Sequence, residues 1–88
     1  PLTGLQAKQL DTALLSAFSI EDLSRLTWFE LNVQLEDFAS TGSKASVTFK
    51  LIKWAEQRGK TAELIRAVIA ARPNNPEVAA LGGLLPPA

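Results

Sequence analysis

The 88-residue chain has no cysteine and no histidine. Without cysteine it has no disulfide framework, no thiol nucleophile and no thiolate metal ligand. Without histidine it also lacks the commonest general base and the commonest neutral metal ligand. A zinc site would have to consist of carboxylates alone. We therefore expect no enzyme, and no catalytic, cofactor-binding or metal-binding residues.

Net charge and long apolar runs are also missing. Nine basic and nine acidic residues cancel, whereas a general nucleic-acid binder is normally basic. No apolar run approaches the roughly 20 residues that cross a membrane. The first thirty residues lack the basic-then-apolar pattern of a signal peptide. We expect a cytoplasmic protein that contacts neither nucleic acid nor membrane.

What the chain does have is a composition typical of one folded domain, with charges segregated along the sequence. Its apolar fraction of 47% argues against disorder. Residues 1–40 carry two basic and six acidic side chains, a net charge of −4, whereas residues 41–88 carry seven and three, a net charge of +4. The neutral total therefore hides a polarised molecule.

Two capping boxes predict the first two helices. Thr3 with Gln6, and Ser19 with Asp22, have the spacing at which side chains satisfy the free N–H groups of a helix start. The first helix should end near Ala17. Its inward residues are predicted to be Ala7, Leu10, Ala13, Leu14, Ala17 and Phe18. Those of the second helix are predicted to be Ile20, Leu23, Leu26 and Phe29.

The segment Trp28–Phe38, WFELNVQLEDF, is ambiguous. Its alternating Leu31, Val33 and Leu35 could form a strand. The chain has no second strand-like run to pair with it. We interpret the segment as helical, with a break near Asn32 and a short third helix through Ala39. Residues 40–43, STGS, are predicted to form a loop.

The fourth predicted helix, Val47–Gly59 (VTFKLIKWAEQRG), has the highest helical and apolar content. At 100° per residue its inward face contains Val47, Thr48, Leu51, Ile52, Trp54 and Ala55. Lys50, Lys53 and Gln57 lie opposite, and Phe49 falls outside both groups. A helix that is apolar over more than half its circumference is usually central. Both tryptophans, Trp28 and Trp54, are predicted to lie in the core.

The remaining signals predict two more helices. A fifth helix should begin at Thr61 and stop before Pro73, and a sixth should begin at Asn75 and Pro76. The expected fold is an all-α, compact six-helix bundle. Residues 1–81 are predicted to form the domain, and residues 82–88, GGLLPPA, the start of a linker.

Two motifs imitate catalytic or nucleotide-binding sequences. Gly59-Lys60-Thr61 matches the end of a phosphate-binding loop, but that motif requires a glycine where this chain has Trp54, and a preceding strand. We interpret Gly59 as a helix stop. The six serines have no histidine to activate them, so we interpret them as caps and surface groups.

The charged side chains allow a structural and a functional interpretation. As structure, they are simply the solvated faces of helices. As function, an acidic patch and a basic patch would form a protein interface on unlike surfaces. The acidic candidates are Glu21, Glu30, Glu36 and Asp37. The basic candidates are Lys50, Lys53 and Lys60, on a face for which we predict no aromatic neighbour. The off-stripe Phe49 is a candidate apolar contact.

Three segments together resemble the bacterial effector-associated domains, type one. They are the FEL…L pattern of Phe29–Leu35, KLIKWAEQRG at Lys50–Gly59, and ARPNNPE at Ala71–Glu77. The similarity extends from Leu2 to about Leu81. Asn32-Val33-Gln34 departs from the glycine-containing turn expected there.

The resemblance implies a death-domain-like adaptor without catalytic residues. Such domains are expected at the ends of larger bacterial proteins, where they pair with similar domains. The pairing joins sensor or scaffold NTPases to effectors such as proteases or TIR modules, in conflict or death-like immune signalling. In death folds, acidic surface on the second and third helices often meets basic surface on the first and fourth, which matches the predicted positions of the two patches.

Self-association and pairing with a cognate domain both remain open. An alternative of another class is a small helical DNA-binding domain. A helix-turn-helix around Gly59 would then begin its second helix with Thr61, Ala62 and Glu63, a poor set for reading base edges. A small enzyme is the least favoured class.

Overall fold

Capping side chains start the first two helices as predicted. In the computed structural model, which describes residues 1–39 and 42–85, Thr3 and Gln6 exchange side-chain-to-backbone hydrogen bonds of 2.9 and 3.2 Å. Ser19 and Asp22 make the same reciprocal pair. Helix α1 then spans Gly4–Ala17 and helix α2 spans Ile20–Leu31. The backbone N–H of Ser19 lowers the pKa of Asp22 below its ordinary value.

The chain leaves α2 through a left-handed residue. Asn32 has φ 58° and ψ 36°, a region that glycine occupies freely and that asparagine tolerates better than most residues. The turn in which a glycine was expected is thus made by Asn32. The predicted short third helix is reduced to a 3₁₀ turn, Leu35–Asp37. Leu35 and Ala39 are both buried, so one turn is enough to return the chain to the core.

Helix α3, Lys44–Arg58, begins three residues before the predicted start at Val47 because Ser43 caps it. It ends at Gly59, whose φ of 68° makes the left-handed stop that the sequence predicts. In the predicted loop before it, Gly42 also has a positive φ, 110°, and residues 40 and 41 lie outside the described residues.

The last elements follow the predicted stops and caps. Helix α4, Thr61–Ala71, ends before Pro73. The Asn75 side chain accepts hydrogen bonds at the start of helix α5, Pro76–Ala79. A 3₁₀ segment, Ala80–Leu84, continues from it. Leu84 and Leu85 pack partly buried on the core, and residues 86–88 lie outside the described residues. The domain boundary at residue 81 stays a prediction.

One hydrophobic core joins all five α-helices. Helix α1 packs on α3 and α5, α2 packs on α4, and α3 also contacts α4. No strand occurs in residues 1–39 or 42–85, so the predicted all-α class is confirmed there. The largest fully buried apolar side chains are Leu10, Leu14, Leu23, Leu35, Leu51, Leu64, Ile65, Val68, Val78 and Leu81.

The inner face of α3 matches its prediction. Val47, Thr48, Leu51, Ile52 and Ala55 are buried. The buried Thr48 hydroxyl donates to Asp11 Oδ1 at 2.6 Å, so its polar group is satisfied. Trp54 is half-buried and stacks on Phe38, with ring centroids 5.0 Å apart.

Lys44 and Arg72 donate hydrogen bonds to the last carbonyls of α1. We call these two basic residues the α1 clamp. Lys44 Nζ donates to the Leu15 carbonyl at 2.7 Å. Arg72 Nε donates to the Ala17 carbonyl at 3.1 Å, and the same guanidinium pairs with Asp22 at 3.2 Å. The last carbonyls of a helix lack partners within it and carry partial negative charge. The clamp satisfies two of them with residues from α3 and from the end of α4.

Leu51 and Phe49 lie on opposite sides of α3 and form a matched pair. Leu51 is fully buried, whereas Phe49 is 59% exposed. Leu51→Ala should lower the free energy of unfolding by about 2–5 kcal/mol, because it leaves a cavity. Phe49→Ala should change it by less than about 0.5 kcal/mol. Urea denaturation of both variants measures the difference. Equal destabilisation would contradict this placement of α3.

The hydrogen bonds of Glu56 with Leu2 and Thr61 should weaken in acid. Its carboxylate accepts hydrogen bonds from the Thr61 hydroxyl and the Leu2 N–H. Mainly through Thr61, these bonds hold the pKa of Glu56 below its ordinary 4.5. A lowered folded-state pKa stabilises the fold above pH 4.5, and this contribution is lost as pH falls through the folded-state pKa.

Glu56→Gln has no charge to lose, so its stability should fall less than that of the wild type between neutral pH and about pH 3. Thermal unfolding at several pH values measures the effect. Glu63→Gln, which alters an exposed ion pair with Lys60, is the control and should retain the wild-type acid sensitivity. Identical pH profiles for Glu56→Gln and the wild type would refute the prediction.

Candidate interaction surfaces on helices α2 and α3

The outer face of α3 carries two exposed lysines one turn apart. Lys50 and Lys53 are both exposed, and among residues 1–39 and 42–85 neither belongs to an ion pair. Lys53 Nζ lies 5.5 Å from the centroid of the exposed Phe49 ring. The prediction that no aromatic residue accompanies these lysines was therefore wrong. Residues 49 and 53 are one helical turn apart, which brings their side chains together.

Lys60 lies apart from these two lysines. It precedes α4 as its N-cap residue, and its ammonium is 3.6 Å from Glu63. Its side chain lines a shallow groove with Trp54 and Asp37. The predicted basic patch thus consists of Lys50 and Lys53 on α3, with Lys60 in a different setting beyond Gly59.

Two of the four acidic candidates, Glu21 and Glu36, have hydrogen-bond partners on α2. The Glu36 carboxylate accepts a 2.7 Å hydrogen bond from the hydroxyl of Ser24, one turn along α2 from Glu21. This hydrogen bond lowers the pKa of Glu36 below its ordinary value. Glu21 pairs with Arg25 at 2.9 Å in an exposed contact, which contributes little to stability.

The other two acidic candidates lie elsewhere. Glu30 faces α4, where it lines a groove with Glu63 and Arg66. Asp37 lines the groove that contains Lys60 and Arg58. Glu21 and Glu36 thus have different partners on α2, whereas Glu30 and Asp37 line two different grooves.

An exposed aromatic pair on α2 escaped the sequence analysis. Trp28 is 56% and Phe29 is 70% exposed, and their rings stack with centroids 5.9 Å apart. The predicted core positions of both were therefore wrong. Nine residues of helix turn through about 900°, so Phe29 lies opposite Ile20 and cannot share its face. Adding 100° for every residue from Ile20 to Phe29, rather than assuming that every third residue shares a face, would have placed Phe29 outside the buried face. Ile20 itself is 42% exposed.

A groove of about 360 Å³ runs between α2 and α4, and we call it the α2–α4 groove. Phe29 stands at its edge, and the small side chains of Ala67, Ala70 and Ala71 leave it open. Its other lining residues are Phe18, Asp22, Arg25, Leu26, Glu30 and Arg72. The guanidinium of Arg72 lies 4.5 Å from the Phe18 ring centroid. Arg72 of the α1 clamp therefore packs against another lining residue of the groove.

The positions that imitated a catalytic or nucleotide site have structural roles. Gly59 ends α3, and the Thr61 hydroxyl donates to Glu56. Ser19 and Ser43 cap helices, and Ser16 and Ser24 donate to carboxylates. Within the described ranges, no cluster of three His, Cys, Asp or Glu side chains has a geometry suited to a metal ion.

The hydrogen bond between Ser24 and Glu36 can be tested directly. Ser24→Ala removes the donor, so the pKa of Glu36 should rise toward its ordinary value. An NMR titration of the Glu36 side-chain carboxyl measures the change. Ser46→Ala, a substitution on the distant α3, should leave the titration unchanged. An unshifted Glu36 in Ser24→Ala would show that the two side chains do not interact.

The comparisons with known proteins give one family match. The family model described as Effector-associated domain 1 matches residues 1–86, nearly the whole chain. No curated protein and no solved structure matches the chain. In the part of the chain that the structure describes, no helix has the length and apolarity needed to cross a membrane. The chain belongs to the effector-associated domain 1 family.

Proposed function

We propose that this domain is a non-catalytic adaptor that associates with another effector-associated domain, either a second copy or a cognate domain. The association would couple a sensor NTPase to a protease or other effector in bacterial conflict or death-like immune signalling. The observation that carries the proposal is the family match over residues 1–86. The cytoplasmic location expected from the sequence stays a prediction.

A death-domain-like arrangement is part of the proposal. The order of α1, α2, the 3₁₀ turn Leu35–Asp37, α3, α4 and α5 fits a six-helix plan in which the turn takes the place of the third helix. On this plan α3 corresponds to the fourth helix, whose basic surface is expected to contact an acidic partner.

The distribution of charge supports association through unlike surfaces. Lys50 and Lys53 are exposed on α3, whereas Glu21 lies on α2 and Glu36 accepts a hydrogen bond from Ser24 of α2. Helix α2 packs on α4, and α3 packs on α1 and α4, so the two surfaces are on separate helices. A contact between unlike surfaces leaves one of each free on the resulting pair, and such a contact can propagate.

The DNA-binding alternative gains no support from the family match or from the start of α4. Thr61 is engaged with Glu56, and Glu63 is exposed beside Lys60. A carboxylate at that position would repel a phosphate backbone. An adaptor role uses the exposed residues of α2 and α3 and requires no catalytic group.

Charge reversal on α3 tests the adaptor proposal. In Lys50→Glu/Lys53→Glu, association with a second copy or a cognate effector-associated domain should weaken about tenfold or more, because like charges would meet across the contact. Wild-type association should also weaken as salt rises from about 0.05 to 0.5 M. Light scattering and pull-down against the purified domains measure both effects.

The matched control compares single changes of one charge unit. Asn74→Glu adds one negative charge at an exposed position between α4 and α5, and it should bind as the wild type does, whereas Lys53→Gln, which removes one positive charge, should bind more weakly. If the double variant associated normally, or if no effector-associated domain bound the wild type, the proposed function would be wrong.

A further inference from the structure

Two exposed phenylalanines on different helices have unlike surroundings. Phe49 projects from the convex outer face of α3 with Lys53 beside it. Phe29 stands at the edge of the α2–α4 groove. Large exposed aromatic side chains next to a groove or a charge are typical of protein contact sites.

From these features we propose that Phe49 of one copy of this chain inserts into the α2–α4 groove of a second copy. The proposal rests on the proposed function, because it names a contact through which the adaptor would associate. Phe49 is the projecting group, and the groove beside Phe29 is its receptacle. The occupant is a second copy because the exposed Phe49 ring and the adjacent Lys53 complement the apolar lining and the Glu30 carboxylate of the groove.

The shape of the groove fits an aromatic ring. Its volume of about 360 Å³ exists because α4 presents Ala67, Ala70 and Ala71 where larger residues would fill the space. Phe18 and Leu26 supply further apolar lining. Phe29 is itself stacked on Trp28, which limits its motion at the edge. An aromatic ring buried there would supply much of the contact energy.

The charges around the two halves are complementary. Lys53 lies next to the Phe49 ring, so its ammonium would enter the contact with that ring. Within the described residues, this ammonium takes part in no ion pair. The groove contains two arginines, but Arg25 already pairs with Glu21 and Arg72 with Asp22. Glu30, which lines the groove, takes part in none of the ion pairs between described residues. It is therefore the carboxylate that Lys53 would meet.

The contact is head-to-tail. Because Phe49 is on α3 and the groove lies between α2 and α4, one copy uses its ring on one neighbour and its groove on another. Association of this kind forms open chains or closed rings. A twofold dimer would instead need both halves to meet reciprocally.

Two variants separate the halves of the contact. Phe49→Ser removes the inserted ring at an exposed position, and Ala70→Leu fills the groove from an exposed position on α4. Each variant alone should self-associate at least about tenfold more weakly than the wild type in sedimentation velocity over a concentration series. Circular dichroism checks that both remain folded.

Mixing the two variants gives the decisive measurement. Ala70→Leu retains its ring and Phe49→Ser retains its groove, so the mixture should form 1:1 dimers and nothing larger. Leu5→Ser and Ala79→Leu make the same kinds of change at exposed positions on α1 and α5, and they should self-associate as the wild type does.

A monomeric mixture, undiminished association of either variant, or equal loss in the two controls would overturn the proposal. A wild-type chain that stays monomeric would overturn it too, while binding of a cognate domain would leave the proposed function intact. Likewise, if charge reversal at Lys50 and Lys53 weakens self-association but Phe49→Ser does not, the inserted ring is refuted and the adaptor function stands.

Discussion

The fold depends on how the free carbonyls at the end of α1 are satisfied. Helix α1 has no basic residue in its own last turn, and the partners come from distant parts of the chain, Lys44 in α3 and Arg72 after α4. Arg72 also pairs with Asp22 and covers Phe18. One end of one helix thereby fixes α2, α3 and α4 relative to each other. These hydrogen bonds connect residues 29 and 55 positions apart in the sequence, so they form only when α1, α3 and the end of α4 are packed together.

The proposed association surfaces lie on the part of the molecule that this arrangement leaves uncovered. Burial of Leu51 and its neighbours turns Phe49, Lys50 and Lys53 outward, and the packing of α2 on α4 opens a groove over alanines. The same contacts that build the core therefore decide which side chains a partner can reach. The proposed adaptor function needs no conformational change, because both surfaces exist in the free domain and rigid association is a fair default for preformed surfaces.

Local chemistry and the outward side of α3 were predictable from sequence, whereas the exposure of Trp28 and the positions of the acidic residues were not. The capping boxes at Thr3 and Ser19 and the stop at Gly59 involve residues within a few positions of each other, so short patterns specify them. The exposure of Trp28 depends on how α2 packs on α4, and a 3₁₀ turn takes the place of the predicted third helix. No local pattern reports how one helix packs on another. The same limit applies to Glu30 and Asp37, which line two different grooves.

The two tryptophans occupy unlike environments, so their intrinsic fluorescence can report on two different events. Trp54 is stacked on Phe38 near the core, whereas more than half of Trp28 faces solvent beside the edge of the α2–α4 groove. Emission from Trp54 follows the integrity of the fold, and emission from Trp28 follows what covers α2. With each tryptophan replaced in turn by phenylalanine, unfolding and assembly become separately visible in the same cuvette, without any attached dye.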